Sequence, residues 1–342
     1  MAYLLQNTLT YTIPLMIVAL AGIYAERSGI INLALEGIMI MGAFIGVLVV
    51  FSFQKSGAFD KDGAMTLMLL ALVIAAVAGA VFSLLLAFAA IHLKADQTIG
   101  GTALNLLAPA LALFLIKIVC NQSTLGMYTG NAASGFMLKK SDFGITGEMN
   151  LFQEVFMHKI YPTTYICIVL YVVLSIVLYK TKFGLRLRAC GENPQAADSL
   201  GINVYKMRYA GVLISGALAG IGGFVYALTT ANCASTANVA GFGFLALAVM
   251  IFGNWKPLST AGAALMFGLC QCIAAGYSSI DINGDGKFAL NILAKKMGAS
   301  GLDAGAVFRL LPFVVTLVVL AFTSKNSRAP KAEGIPYDKG TR

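Results

Sequence analysis

The stretch "ERSGIINLALEGIMIMGAFIG", Glu26 to Gly46, decides the fold because a membrane-like apolar run begins among polar side chains. Its second half is apolar enough to lie in lipid, yet Asn32 and Glu36 stand four residues apart in the same predicted helix. Residues at this spacing share one helical face. An ionisable group in a membrane helix needs a partner or a water-filled cavity. The stretch therefore predicts a transmembrane helix with a polar face that serves either packing or transport.

The whole chain has the composition of a multi-pass membrane protein. Of its 342 residues, 58% are hydrophobic and 11% are charged, whereas soluble proteins carry about 25% charged residues. The net charge is +9, but the basic residues flank apolar runs, which is typical of topology signals and predicts no nucleic-acid partner. The six cysteines form no CxxC pair and there are two histidines, so the sequence predicts no metal site and no cofactor.

Apolar runs predict an all-α, polytopic transmembrane helical bundle of about nine spans. Crossing the hydrocarbon core takes about 20 helical residues. One run, 241–253, is short, and it is compatible with either a short span or a re-entrant segment covered by protein. The predicted runs are 8–25, 29–53, 65–93, 98–120, 162–180, 209–229, 241–253, 258–280 and 305–323.

Basic residues cluster in the loop 181–208 and in the tail 325–342, and the positive-inside rule places both in the cytoplasm. Residues 1–324 then form one transmembrane domain with a cytoplasmic tail, and loop 121–161 lies outside. The end of this external loop predicts a short amphipathic helix on the outer membrane surface. Counting spans also places three short connections in the cytoplasm, namely 26–27, 92–96 and 254–257.

Two predicted spans carry polar side chains to a similar depth. Counted from Ser28, Glu36 lies about 12 Å into its helix, and Asn105 lies about 14 Å beyond Asp96, which we predict to cap the next helix. Thr102 shares a face with Asn105. These side chains, with Asn32, either line a translocation pathway or pin helices together through hydrogen bonds such as one between Glu36 and Asn105.

Two phenylalanines in "GFGFLA", Phe242 and Phe244, are candidates for stacking on a substrate ring, with core packing or lipid contact as the alternative. The same glycines resemble part of a nucleotide-binding loop, but no strand–helix unit surrounds them. The segment "DINGDG" at 281–286 begins like an EF-hand loop but lacks the final glutamate, because Ile292 occupies that position. No P-loop and no hydrolase motif occurs. The sequence therefore predicts no catalytic residue and no enzyme.

The loop 181–208 contains "GENPQAADSLGI", Gly191 to Ile202, which predicts a short helix between two spans. Pro194 suits a first helical turn and Gly201 suits a helix end. We interpret the small side chains of Ala196 and Ala197 as a smooth face for a partner, flanked by Arg186 and Arg188. The alternative is a solvated connector without a partner.

Four segments make the chain resemble the membrane permease subunits of ATP-binding-cassette (ABC) importers for branched-chain amino acids, simple sugars and nucleosides. The first and last segments are most similar to the nucleoside-type subgroup. They are "ERSGIINLALEG", "LRACGENPQAADSLGINV", "GFGFLALAVMIFGNWKP" and "APKAEGIPYDKG". The resemblance implies the ABC importer permease fold. It also implies that the short helix of loop 181–208 is the coupling helix, and the residues given this role are Gly191, Glu192, Asn193, Pro194, Ala196, Ala197 and Asp198.

The resemblance further implies a set of partners and a location in the bacterial cytoplasmic (inner) membrane. Two permease subunits form the pore, the second being a paralogue, while ABC ATPase subunits hydrolyse ATP and an external lipoprotein delivers the solute. The expected solute is a nucleoside, with simple sugars or riboflavin-like compounds as alternatives. The competing class is an ion-coupled secondary transporter with Glu36 as its cation site. The polar insert 281–303 departs from the family pattern.

Overall fold

The computed structural model describes residues 2–57, 63–127, 136–138, 143–144, 150–231, 233–276, 304–323 and 328–339. Within these ranges the chain is mostly helical, which confirms the predicted all-α class. The insert 281–303, with its "DINGDG" segment, lies outside the described residues. The helices are α1 Ala2–Glu26, α2 Leu35–Ser56, α3 Ala64–Ile91, α4 Gln97–Cys120, α5 Leu151–Met157, α6 Pro162–Lys180, α7 Lys182–Glu192, α8 Pro194–Ser199, α9 Val204–Thr229, α10 Phe242–Phe252, α11 Pro257–Gly276 and α12 Ala304–Thr323.

Each of the nine predicted apolar runs overlaps one of these helices. In the described part of the chain, seven of them are long and apolar enough to cross a membrane: α1, α2, α3, α4, α6, α9 and α11. Helix α12 has 20 residues. Helix α10 has only 11 residues, about 17 Å of helix, and so cannot cross the hydrocarbon core alone. The chain is a multi-pass membrane protein, and the count of nine spans is approximate.

Helix α9 is the centre of the bundle and packs against α1, α2 and α3. Its glycines allow this contact because no side chain separates the backbones. A Cβ atom on Gly220 would lie 2.3 Å from the carbonyl oxygen of Ala75 in α3, and one on Gly223 would lie 2.0 Å from that of Met39 in α2. The small-residue pattern of this span therefore serves close helix packing.

The two ends of the bundle are built from different connections. At one end, strand β1 (Leu125–Gly126) pairs antiparallel with β2 (Ala234–Ser235), and the Gln6 side chain donates to the carbonyl of His158. At the other end, the tail residues 328–339 bond to the segments around Gly29, Gly191 and Asn254. The positive-inside rule and span counting predicted that the tail, the loop 181–208 and the short connections at 26–27 and 254–257 lie on one side of the membrane. In the structure these segments do lie together.

Candidate functional site

Helix α2 begins at Leu35, six residues later than the predicted span. Gly29 ends the preceding helical turns with φ of +95°, in the left-handed region that favours glycine. Residues 30–34 are therefore not part of a helix. The prediction that Asn32 and Glu36 share one helical face is wrong, because Asn32 precedes the helix and Glu36 lies in its first turn.

The non-helical segment before α2 is held by side chains from other helices. Non-helical backbone is tolerated at membrane depth only where protein or enclosed water covers it. Here Asn105 of α4 holds both sides of the break, with its Nδ2 donating to the Leu33 carbonyl at 2.7 Å and its Oδ1 accepting from the Gly37 amide at 2.8 Å. In addition, the Ile31 amide donates to Gln97 Oε1 of α4 at 2.7 Å, and Asn32 Nδ2 donates to Ser215 Oγ of α9 at 2.9 Å.

Glu36 caps the N-terminus of α10. Its Oε1 accepts from the Gly241 amide at 2.9 Å and its Oε2 from the Gly243 amide at 2.6 Å. A carboxylate in this position satisfies amides that have no partner within the helix and interacts favourably with the helix dipole. The side chain is 8% exposed. Glu36 thus joins α2 to α10, and Asn105 bonds the neighbouring backbone instead of pairing with Glu36 as predicted.

The glycines of "GFGFLA" make this junction sterically possible. A Cβ atom on Gly243 would lie 2.4 Å from the Glu36 backbone nitrogen, and one on Gly37 would lie 2.8 Å from the Leu104 carbonyl oxygen. Helices α2, α4 and α10 therefore meet at one point. This role was not predicted from the sequence, although glycines before an apolar helix are a signal of a helix N-terminus that can accept an anion. The anion is supplied by the chain itself.

The six predicted pathway residues divide into an internal and a surface group. Phe242 is 3% exposed and packs on the Tyr226 ring, with centroids 4.7 Å apart, so it is a core residue. Phe244 is 51% exposed. Thr102 is also exposed, and its hydroxyl donates to the Thr98 carbonyl of its own helix at 3.0 Å. Thr102, Asn105 and Phe244 retain accessible surface, whereas Asn32, Glu36 and Phe242 lie inside the protein.

The predicted helix in loop 181–208 is present as α8. Asn193 caps it by accepting from the Ala196 amide at 3.0 Å, Pro194 stands in its first turn, and Gly201 follows its end with φ of +79°. A second cap prediction, Asp96 at the start of α4, is also confirmed. Its carboxylate accepts from the Thr98 and Ile99 amides, which holds the pKa of Asp96 below its usual value.

The two alanines of α8 do not form one smooth face. Ala197 is 2% exposed and packs with Cys190, Val204 and Tyr337, while Ala196 is exposed. Their side chains therefore face in different directions, and the prediction of a joint partner face is wrong. Burial among these residues raises the pKa of the Cys190 thiol to about 11.

The charged and small residues around α8 also separate into anchors and exposed groups. The Arg188 guanidinium lies 4.7 Å from the centre of the Tyr179 ring, so it contacts α6, whereas Arg186 is exposed. Glu192 is exposed and forms an ion pair with Arg27 at 3.5 Å. Gly191 is buried, and no side chain fits there because a Cβ atom would lie 2.3 Å from the Arg27 carbonyl oxygen. Asp198 is half-buried.

Comparisons with known proteins agree with this architecture. A family model described as "Branched-chain amino acid transport system / permease component" matches residues 4–320. The guanosine ABC transporter permease protein NupQ of Bacillus subtilis is 40% identical, over 100% of this chain and 98% of that protein. The nucleoside ABC transporter permease protein NupC of Lactococcus lactis subsp. cremoris is 38% identical, over 98% of this chain and 96% of that protein. The guanosine ABC transporter permease protein NupP of Bacillus subtilis is 25% identical, over 78% of this chain and 72% of that protein. The chain therefore belongs to the family of branched-chain amino acid transport system permease components.

Proposed function

We propose that this protein is one permease subunit of an ABC importer that takes up nucleosides across the bacterial cytoplasmic membrane. The observation that carries the proposal is the end-to-end similarity to a guanosine permease and a nucleoside permease, at 40% and 38% identity. Because these alignments span at least 98% of the chain, they include the break before α2, the α7–α8 segment and the tail.

The pathway lies between this subunit and a second permease. Thr102, Asn105 and Phe244 are the predicted residues with accessible surface. Asn105 lies at the point where α2, α4 and α10 meet, Thr102 lies one turn before it in α4, and Phe244 follows Gly243 in α10. An exposed phenyl ring provides a flat surface on which a nucleobase can stack. The second Nδ2 hydrogen of Asn105 can donate to a base or ribose, and the Thr102 hydroxyl oxygen can accept from it. Glu36, Asn32 and Phe242 hold this wall in place from behind.

Helix α8 receives the force of an ABC ATPase subunit, which carries out the hydrolysis of ATP. Leu200, directly after α8, is 82% exposed, and Ala196 is exposed beside it. Apolar side chains at a polar end of the bundle suit the core of a protein–protein contact. Gly191 packs on Arg27 and Ala197 packs on Val204, so a displacement of this segment reaches both α9 and the break before α2.

The second permease is a paralogue and the solute is delivered by an external lipoprotein. Support for the paralogue comes from Bacillus subtilis, where NupQ and NupP are both guanosine permeases and both resemble this chain, at 40% and 25% identity. A pair of non-identical permeases places different side chains on the two walls of the pathway, which suits an asymmetric solute.

An ion-coupled transporter with a cation site at Glu36 is disfavoured by the geometry. Both carboxylate oxygens already accept backbone hydrogen bonds, and the side chain is 8% exposed. A coupling site needs a carboxylate that can exchange its ligand between the two sides of the membrane. Both carboxylate oxygens of Glu36 are used to cap α10.

Transport by purified subunits in lipid vesicles tests the proposal. The permease pair, its ABC ATPase and the binding lipoprotein are reconstituted with ATP on the ATPase side, and uptake of labelled guanosine is measured. Unlabelled nucleosides are expected to compete, whereas ribose, riboflavin and leucine are not. Competition by leucine or ribose alone would contradict the proposed substrate. Uptake by this chain alone, without ATP, would contradict the proposed class.

A further inference from the structure

The tail residues 328–339 cross the end of the bundle that carries α8 and bond to several segments far apart in sequence. The Ala332 amide donates to the Gly191 carbonyl at 2.9 Å, and the Gly334 amide donates to the Gly29 carbonyl at 3.2 Å. Arg328 N donates to Asn254 Oδ1 at 3.0 Å. The tail is therefore an ordered part of the fold that joins the break before α2 to the α7–α8 segment.

A buried arginine depends on this tail. Arg208 of α9 is 1% exposed, and its Nη1 donates to the Ile335 carbonyl at 3.0 Å. A buried guanidinium without acceptors is costly, so the tail carbonyl stabilises its charge. Loss of the tail would leave this group without that acceptor.

Tyr337 fixes the tail directly behind α8. The side chain is 6% exposed, packs with Ala197 and Cys190, and makes an edge-on contact with the Tyr205 ring at 5.3 Å between centroids. Burial raises the pKa of Tyr337, and the neighbouring Asp198 carboxylate raises it further. The inner face of α8 is thus occupied by the tail, and only its outer face remains for a partner.

A groove of about 670 Å³ runs between α8 and the last described residues of the tail. Gln195, Ala196 and Ser199 lie on one wall, while Asp338 and Lys339 lie on the other. An ion pair between Lys94 Nζ and Asp338 Oδ2, at 2.6 Å, links the tail wall to the α3–α4 connection. The groove therefore has two walls of independent origin, and both are attached to transmembrane helices.

We infer that the tail forms the second wall of the docking groove for the ABC ATPase subunit. This inference rests on the proposed function, which assigns the first wall, α8, to that partner. Two exposed apolar side chains at this end, Leu200 at 82% and Ile335 at 55%, come one from each wall segment. They neighbour the lining residues in sequence, whereas the groove itself is lined mainly by polar side chains, including the charged groups of Asp338 and Lys339. The two segments together therefore offer apolar and charged contacts to one partner. Movement of the ATPase then acts on Gly29 and Arg208 through the tail as well as on α8.

Site-specific photo-cross-linking in the assembled transporter tests this inference. A photoreactive amino acid replaces Ser199, Lys339 or Lys256, one at a time, in the chain co-expressed with its ABC ATPase. All three positions are exposed, but Lys256 does not line the groove. Cross-links to the ATPase are expected from Ser199 and Lys339 and not from Lys256. A cross-link from Ser199 alone would overturn the inference and leave the proposed coupling role intact, whereas a cross-link from neither groove position would overturn both.

A charge reversal provides a second measurement with a matched control. Lys339→Glu changes the groove rim, while Lys331→Glu makes the same change at an exposed tail position outside the groove. We expect Lys339→Glu to reduce the amount of ATPase that co-purifies, with no change in thermal unfolding, and Lys331→Glu to retain the wild-type amount. Equal retention by the two variants would contradict the inference.

Discussion

Replacing Glu36 by alanine is expected to destabilise the protein by separating α10 from α2. The substitution removes two hydrogen bonds from backbone amides to a charged acceptor, at 2.9 and 2.6 Å. Hydrogen bonds to charged groups contribute about 1.5–3 kcal/mol each, so the loss amounts to about 3–6 kcal/mol. At ~2–4 °C per kcal/mol for a chain of this scale, the unfolding temperature should fall by about 10 °C. Glu36→Gln retains one acceptor oxygen, so its unfolding temperature should fall by about half as much.

The fluorescence of Trp255, the single tryptophan, follows unfolding of the purified protein in detergent. Glu154→Ala is the matched control, because Glu154 is an exposed acidic residue and a surface substitution changes stability by about 0.5 kcal/mol or less. The graded order wild type, Gln, Ala is the expected signature of a capping role. Unchanged unfolding temperatures together with abolished guanosine uptake would refute this reasoning, because Glu36 would then act on the solute or on an ion.

Three further perturbations follow from the structure. Gly243→Ala brings a Cβ atom to within 2.4 Å of the Glu36 nitrogen and should prevent recovery of folded protein on size-exclusion chromatography, whereas Gly262→Ala, which meets no atom within 4 Å, should not. Ala196→Trp should lower guanosine-stimulated ATPase activity without lowering the unfolding temperature. Ala197→Trp should lower the unfolding temperature itself, because Ala197 is buried against Tyr337. The same activity and unfolding temperature in both variants would contradict the finding that the two side chains face in different directions. Burial raises the pKa of Glu333, beside Glu26 and Arg27, above its usual value of 4.5. The folded state therefore holds a proton that the unfolded state releases, so stability falls as the pH rises. Between about pH 5 and about pH 8, the unfolding temperature of Glu333→Gln should fall less steeply with pH than that of the wild type.

The helical content and the approximate positions of the long apolar helices could be predicted because both depend on local composition. Runs of about 20 apolar residues and basic flanking residues are read directly from the chain. The caps of α4 and α8 were equally predictable, because Asp96 and Asn193 accept hydrogen bonds from amides two or three residues later, and Pro194 fixes its own backbone in the first turn of α8. These features depend on neighbours in sequence.

The break before α2 could not be predicted, because its cause lies in other helices. Hydropathy continues across residues 29–53, and a continuous helix is the simplest reading of that run. The hydrogen bonds that replace the helical ones are made with Gln97 and Asn105, which lie 66 and 72 residues away in sequence from their partners Ile31 and Leu33. The partner of Glu36 is 205 to 207 residues away, at Gly241 and Gly243. The sequence showed that these polar groups need partners but not which ones.

The position of the tail has a consequence for biogenesis. Residues 328–339 leave the ribosome after helices α1 to α12 have been made, yet they provide the donors for Gly29 and Gly191 and the acceptor for Arg208. A nascent or prematurely terminated chain that stops before residue 328 lacks these groups, so the hydrogen bonds at this end of the molecule form only after the tail has been made. On the proposed docking of the ABC ATPase, such a truncated copy would lack one wall of the groove and would bind that subunit less well.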